Sequence, residues 1–158
     1  MNIRAATQVD IPALESILRR SWLATWAPEL AFETVQRFAA TDPAGHYARD
    51  KWREFVVAEE GGALLGMFHT EGDHLHAIHL DPKHKRRRVG SRLMDDVERR
   101  IATDHPEATL EVRAFNTGAI AFYQQRGWSI RGAAYADDEC GEPCETFRMF
   151  KPLSREGQ

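Results

Sequence analysis

Two histidines two residues apart, His74 and His76, sit in the run His74-Leu75-His76-Ala77-Ile78-His79-Leu80. Strand alternation sends both to one face. Imidazole exchanges protons near neutral pH, so either ring can act as a general base. A half-buried strand histidine with a purely structural role leaves the same signature. His79 has the opposite parity unless the strand bulges, and reads as structural. Asp81-Pro82 closes the run, and the basic stretch Lys83-His84-Lys85-Arg86-Arg87-Arg88 leads into an apolar-periodic segment. A loop feeding a helix N-terminus leaves backbone N–H groups free, and the helix dipole there favours an anion. Lysine and arginine in that loop add charge-assisted bonds to phosphate, although a solvated basic loop would look similar.

Several elements must position these groups. Residues 2–6 predict a short first strand, and Thr7 with Asp10 forms a capping signature before Leu14, Ile17, Leu18 and Trp22 recur at helical spacing. The spacing predicts a helix over 8–26, stopped by Pro28, and a second over 32–40. A polar connection with Pro43 and Gly45 follows. Strands at 55–58 and 64–68 flank Glu59-Glu60-Gly61-Gly62, a hairpin signal. After the 74–80 strand, Val89, Leu93, Val97 and Ile101 step by four and predict an amphipathic helix. A strand at 109–113 precedes Asn116, which caps a further helix ending at Gly127. Strands at about 128–135 and 145–151 enclose an acidic loop. The order reads β-α-α-β-β-β-α-β-α-β-β.

The 158 residues fit one domain, and a net charge of −3 gives no global attraction to nucleic acid or membrane. The basic stretch lacks interleaved aromatics, which counts against a nucleic-acid patch. No segment approaches membrane-spanning length and the N-terminus lacks a signal peptide, so a cytoplasmic location is expected. Cys140 and Cys144, the only two cysteines, are expected as reduced thiols, with no metal site.

Lys85-Arg86-Arg87-Arg88-Val89-Gly90 falls where one large family carries Q/R-x-x-G-x-G/A. Downstream, Asn116-x-x-Ala119-x-x-Phe122-Tyr123-x-x-x-Gly127-Trp128 matches that family's N-x-x-A-x-x-F-Y-x-x-x-G-F/W. On these two motifs the chain resembles the GNAT superfamily of acetyl-CoA-dependent N-acetyltransferases. The resemblance implies an α/β (α+β) fold, a mixed, mostly antiparallel sheet of about seven strands with helices on both faces. It implies a single domain over 1–153 with a frayed tail at 154–158.

It also implies acetyl-CoA as cosubstrate and no metal. Lys85, Arg86, Arg87, Arg88, Val89, Gly90 and Ser91 would cradle the coenzyme's pyrophosphate. The Ile78 and Leu80 backbone would bond the pantetheine arm and polarise the thioester carbonyl. Asn116, Ala119 and Phe122 would complete the coenzyme site. Arg88 departs from the pattern by replacing a glycine, whose missing Cβ allows close approach to phosphate.

Acyl transfer expels a thiolate whose conjugate acid lies near ~8.5, and a phenol near ~10 can protonate or stabilise it. The resemblance places Tyr123 there; a plain core tyrosine is the other reading. A lysine-like ammonium, near ~10.4, must lose a proton before it attacks. His74 and His76 match the paired histidines of arylalkylamine N-acetyltransferases, and His74 falls where histone-type enzymes carry a glutamate. Leu75-His76 also occurs in many small bacterial relatives, which leaves His76 a structural alternative.

The reaction implied is direct attack of a primary amine on acetyl-CoA in a ternary complex. The acceptor would be a small-molecule or peptide amine, and homodimers are common in the family. Trp22, Trp26, Glu29, Phe32, Glu33 and the acidic loop Asp137, Asp138, Glu139 and Glu142 would suit a cationic amine. A non-catalytic acyl-CoA-binding regulatory module with a drifted phosphate loop is the alternative, and Arg88 is the feature that favours it.

Overall fold

The strand and helix patterns assemble into one seven-stranded sheet covered on both faces. The computed structural model describes residues 1–84, 88–136 and 142–154. Its strands are β1 (Asn2–Ala5), β2 (Phe55–Glu60), β3 (Ala63–Glu71), β4 (His74–Leu80), β5 (Glu107–Arg113), β6 (Ser129–Ala136) and β7 (Cys144–Pro152). Its α-helices are α1 (Ile11–Thr25), α2 (Phe32–Thr41), α3 (Pro43–Lys51), α4 (Val89–Ala102) and α5 (Thr117–Gln125). The strand order is β1-β2-β3-β4-β5-β7-β6. Only β4 and β5 run parallel; every other neighbouring pair is antiparallel.

Each face carries its own core. Leu93, Val97 and Ile101 of α4 pack with Val56, Phe68, Leu110, Tyr123 and Trp128. Leu14, Ile17 and Leu18 of α1 and Ala44 and Ala48 of α3 pack on Phe55, Val57 and Met67. Full burial of a leucine or isoleucine contributes roughly 1.5–3 kcal/mol, so these two stripes fix which face each helix covers.

The first helix differs from expectation at its start. A 3-10 turn occupies Gln8–Asp10 before α1 begins at Ile11. The expected cap is present: the Thr7 amide donates to Asp10 Oδ2 at 2.7 Å. Arg4 clamps the same carboxylate at 2.8 and 3.0 Å and holds it below the usual range. The connection expected around Pro43 and Gly45 is instead α3. Proline is suited to a first helical turn, and Asp42 caps it by accepting from the Gly45 amide at 3.2 Å. The hairpin turn holds: Gly61 and Gly62 have φ of 60° and 82°, a conformation costly for other residues.

Cys144 is disulfide-bonded, against the reduced thiol expected, and Cys140 lies outside the described residues. Among the described residues no helix is long and apolar enough to cross a membrane.

Candidate active site

β4 and β5 pair at only two positions, His74↔Thr109 and Leu75↔Leu110. Beyond Leu75 the strands part, and a cleft of about 790 Å³ opens between them. Its wall on one side is α1 and α3, with Trp22, Trp26, Ser21 and Tyr47. Its wall on the other is α5, with Asn116, Ala119, Phe122 and Tyr123. The β4 residues from Leu75 to Leu80 form the floor, so the edge facing the cleft has backbone groups without a strand partner. Ile78 and Leu80, expected to bond an extended amide-bearing arm, lie on that edge.

The turn after β4 is braced from α1. Arg20 meets Asp81 at 2.7 Å, and Asp81 accepts from the Lys83 amide at 3.0 Å. Burial alone would raise the Asp81 carboxyl, but the guanidinium and the amide bond outweigh it and the group is held low. Lys85, Arg86 and Arg87 lie outside the described residues. Arg88 is exposed, with φ 55° and ψ 25°, and stands as the N-cap of α4. Val89 and Gly90 are buried at the helix start. A Cβ on Gly90 would come 3.3 Å from Leu80 and 3.6 Å from Phe122, so the missing side chain lets α4, β4 and α5 meet there. Ser91 follows in the first turn of α4, and of the Val89-Gly90-Ser91 run only Gly90 lines the cleft.

On the α5 wall, the Asn116 side chain accepts from the Ala119 amide at 3.3 Å, which starts the helix and fixes the asparagine at the cleft. Arg126, at the end of α5, bonds Asp95 at 2.6 Å and also pairs with Glu98, tying α5 to α4. Tyr123 is buried, and desolvation pushes its phenol up to about 12.

The histidines separate. In the β3–β4 register His69 faces Ala77 and Thr70 faces Leu75, so His76 is the extra residue of a bulge. His76 lines the cleft. His74 does not; its Nδ1 lies 2.8 Å from Thr109 Oγ1 at the closed end of the sheet. His79, expected to be structural, lines the cleft opposite α1, with Nδ1 2.9 Å from Ser21 Oγ. Burial lowers it to about 4.

One cluster had no signal in the sequence. His69 on β3 is buried, with Nδ1 2.7 Å from the Tyr47 hydroxyl. Its Nε2 lies 2.7 Å from Glu54 Oε2 and 3.1 Å from Glu71 Oε1. The His76 ring is 4.8 Å away. These residues come from α3, the segment before β2, β3 and β4, and only His69 and Glu71 are neighbours in sequence, so spacing does not announce the set.

Above Tyr47, Trp22 and Phe38 stack at 3.6 Å between ring centroids, and Trp26 meets Trp22 edge-on at 6.4 Å. Arg113, at the end of β5, is buried beneath Trp26 and donates to Thr146 at 2.8 Å. The acidic-loop residues Asp137, Asp138 and Glu139 lie outside the described residues, whereas Glu142 accepts from the Ala31 amide at 3.0 Å. That bond links the α1–α2 connection to the start of β7.

Known proteins share this fold. A GCN5-related N-acetyltransferase from Rhodopseudomonas palustris superposes with a TM-score of 0.80 at 24% identity, over 96% of this chain and 95% of that one. A PaiA N-acetyltransferase from Thermoplasma acidophilum, solved in complex with coenzyme A, gives 0.77 at 19% identity, over 96% and 98%. At these identities the likeness is one of fold. In sequence, the peptidyl-lysine N-acetyltransferase YiaC of Escherichia coli is 42% identical over 83 residues, which is 52% of this chain and 54% of that protein. The peptidyl-lysine N-acetyltransferase YjaB of Salmonella typhimurium is 27% identical over 98 residues, 62% and 64%. The chain thus matches about half to two thirds of the length of these curated relatives. The family profile described as "Acetyltransferase (GNAT) domain" matches residues 23–141. Most of the sequence and most of the cleft lining lie inside that match, and the chain belongs to the GNAT acetyltransferase family.

Proposed function

We propose that the protein transfers an acetyl group from acetyl-CoA to a primary amine, with a lysine side chain of a peptide as acceptor. The observation that carries this reading is the parting of β4 from β5 beside Tyr123. An unpaired strand edge, a helix-capping asparagine and a buried phenol converge on one cleft. Pantetheine carries amides that can bond such an edge as a strand would. The coenzyme's pyrophosphate would lie at the start of α4, where helix amides and the basic stretch favour an anion.

In the reaction the amine nitrogen bonds the thioester carbon and the carbon–sulfur bond breaks. A phenol held at about 12 keeps its proton more tightly than a thiol near ~8.5. Complete transfer from Tyr123 to the sulfur is therefore uphill, and Tyr123 serves by donating a hydrogen bond to the developing thiolate. On the acceptor side His76 lines the cleft and His74 does not, which supports His76 over His74 as a base. The rings of Trp22, Trp26, Phe38 and Tyr47 supply an apolar channel for a lysine stem and π faces for its ammonium. The relatedness to YiaC over 83 residues supports lysine over other amines.

Calorimetric titration with acetyl-CoA, followed by thiol release against lysine peptides and free amines, tests this reading. Binding with turnover on lysine peptides is expected. Binding without turnover on any amine would favour the acyl-CoA-binding regulatory module, for which Arg88 at a glycine position speaks. Failure to bind acetyl-CoA would overturn both.

A further inference from the structure

The proposed transfer requires the acceptor ammonium to lose a proton, and the cleft holds a group better placed for this than the exposed His76. Tyr47 of α3 lines the acceptor side, and behind it His69 is buried outside the cleft. The phenol oxygen and His69 Nδ1 are 2.7 Å apart. The ring's other nitrogen faces two carboxylates, Glu54 before β2 and Glu71 at the end of β3, at 2.7 and 3.1 Å. Neither carboxylate meets Nε2 in hydrogen-bond geometry, but both lie within ion-pair distance, and their charge favours the tautomer with its proton on Nε2 and with Nδ1 as acceptor of the Tyr47 hydroxyl.

From this geometry, and resting on the acetyltransferase reading, we propose that Tyr47 and His69 form the base that deprotonates the acceptor amine, oriented by Glu54 and Glu71. The ammonium N–H bond breaks as its proton passes to the Tyr47 oxygen. The hydroxyl's own proton moves to His69 Nδ1, so the charge leaves the amine and rests on an imidazolium. Nε2 keeps its proton throughout, opposite the carboxylates. After product leaves, the imidazolium returns a proton through Tyr47 to water entering the cleft. The arrangement follows the general logic of a base held in place by a third group.

Four groups face His69: Tyr47 on α3, Glu54, Glu71, and His76 on β4. Burial first, then a charge on His76, lower its basicity, and the two carboxylates raise it. The net effect is to lower it, so Nδ1 stays free to accept between turnovers and the second proton is held only transiently, against the two carboxylates. His76 is exposed and has no orienting hydrogen bond among the described residues.

Thiol release with a lysine peptide, followed from pH 5.5 to 9, tests the proposal in Tyr47→Phe, His69→Gln, their combination, the double variant Glu54→Gln/Glu71→Gln, and His76→Ala. Tyr47→Phe and His69→Gln should each lower kcat by about 10²-fold with acetyl-CoA affinity kept. The combination should fall no further than the worse single change. Loss of both carboxylates should move the acid limb of kcat/KM to lower pH, because the imidazolium loses its counter-charges. His76→Ala should cost less than Tyr47→Phe. Unchanged rates in Tyr47→Phe, multiplicative losses in the combination, an unmoved acid limb, or a greater loss in His76→Ala would each overturn the proposal. If His69→Gln fails to fold, Tyr47→Phe and the surface carboxylate variant decide alone. An unmodified protein inactive on every amine would overturn the acetyltransferase reading as well, whereas an active one with unaffected variants overturns only this base.

Discussion

Burial holds Tyr123 at about 12, so its phenol remains protonated across the pH range in which a thiolate must be stabilised. Tyr123→Phe should therefore lower kcat by about 10²-fold and leave acetyl-CoA affinity within about twofold, as stopped-time thiol release and calorimetry would measure. An alkaline fall in rate below pH 9 should persist unchanged in that variant, since it would not arise from Tyr123. His79 gives a stability prediction instead. Its imidazole is lowered from 6.5 to about 4 by burial. As pH falls through 6.5 the unfolded chain takes up a proton that the folded chain refuses until about 4. The unfolded state binds more protons in that window, so stability is full above 6.5 and drops toward 4. The loss is of order 3 kcal/mol at most. His79→Gln should shrink the difference in urea midpoint between pH 7 and pH 4.5. An undiminished difference would mean that other groups carry the acid sensitivity.

At the scale of elements, Arg88 occupies left-handed backbone at the start of α4, with φ 55°. A side chain there costs roughly 1–2 kcal/mol, partly offset by the unfolded-state entropy that arginine saves over glycine. Arg88→Gly should stabilise the protein by a few tenths to about 1 kcal/mol, visible in thermal melts, and leave acetyl-CoA affinity equal or tighter. A sharp loss of affinity would make Arg88 a phosphate ligand. Position 88 also shows what the sequence could tell. The motif marked the site where glycine is usual, and the backbone there is of the kind that glycine serves. α4 was legible because Val89, Leu93, Val97 and Ile101 mark one face, and the hairpin because Gly61-Gly62 has one economical use. α3 was not, since Pro43 and Gly45 resemble a loop until Asp42 caps them and Ala44 and Ala48 find α1. The placement of His76 and His79 turned on one bulge, which depends on a partner strand rather than on local residues. The Tyr47–His69–Glu54–Glu71 cluster was invisible for a related reason: only the fold brings its members together.

For the molecule as a whole, a coenzyme that binds only the folded state must stabilise it. At a hundred times Kd, acetyl-CoA should add about 2.7 kcal/mol. For a chain of this size that corresponds to a rise in Tm of roughly 5–10 °C. A scan with no shift at that concentration would remove the coenzyme from the reading. The two residue pairs that join β4 to β5 have a mechanical meaning as well. Four strands on one side and three on the other are two plates riveted at one end and bridged across one face by α4. Each plate is stiffened by its own antiparallel ladders, while the rivet is short and lies far from the mouth. An occupant of the gap touches both plates at once, so it is gripped between α1 on one side and α5 on the other.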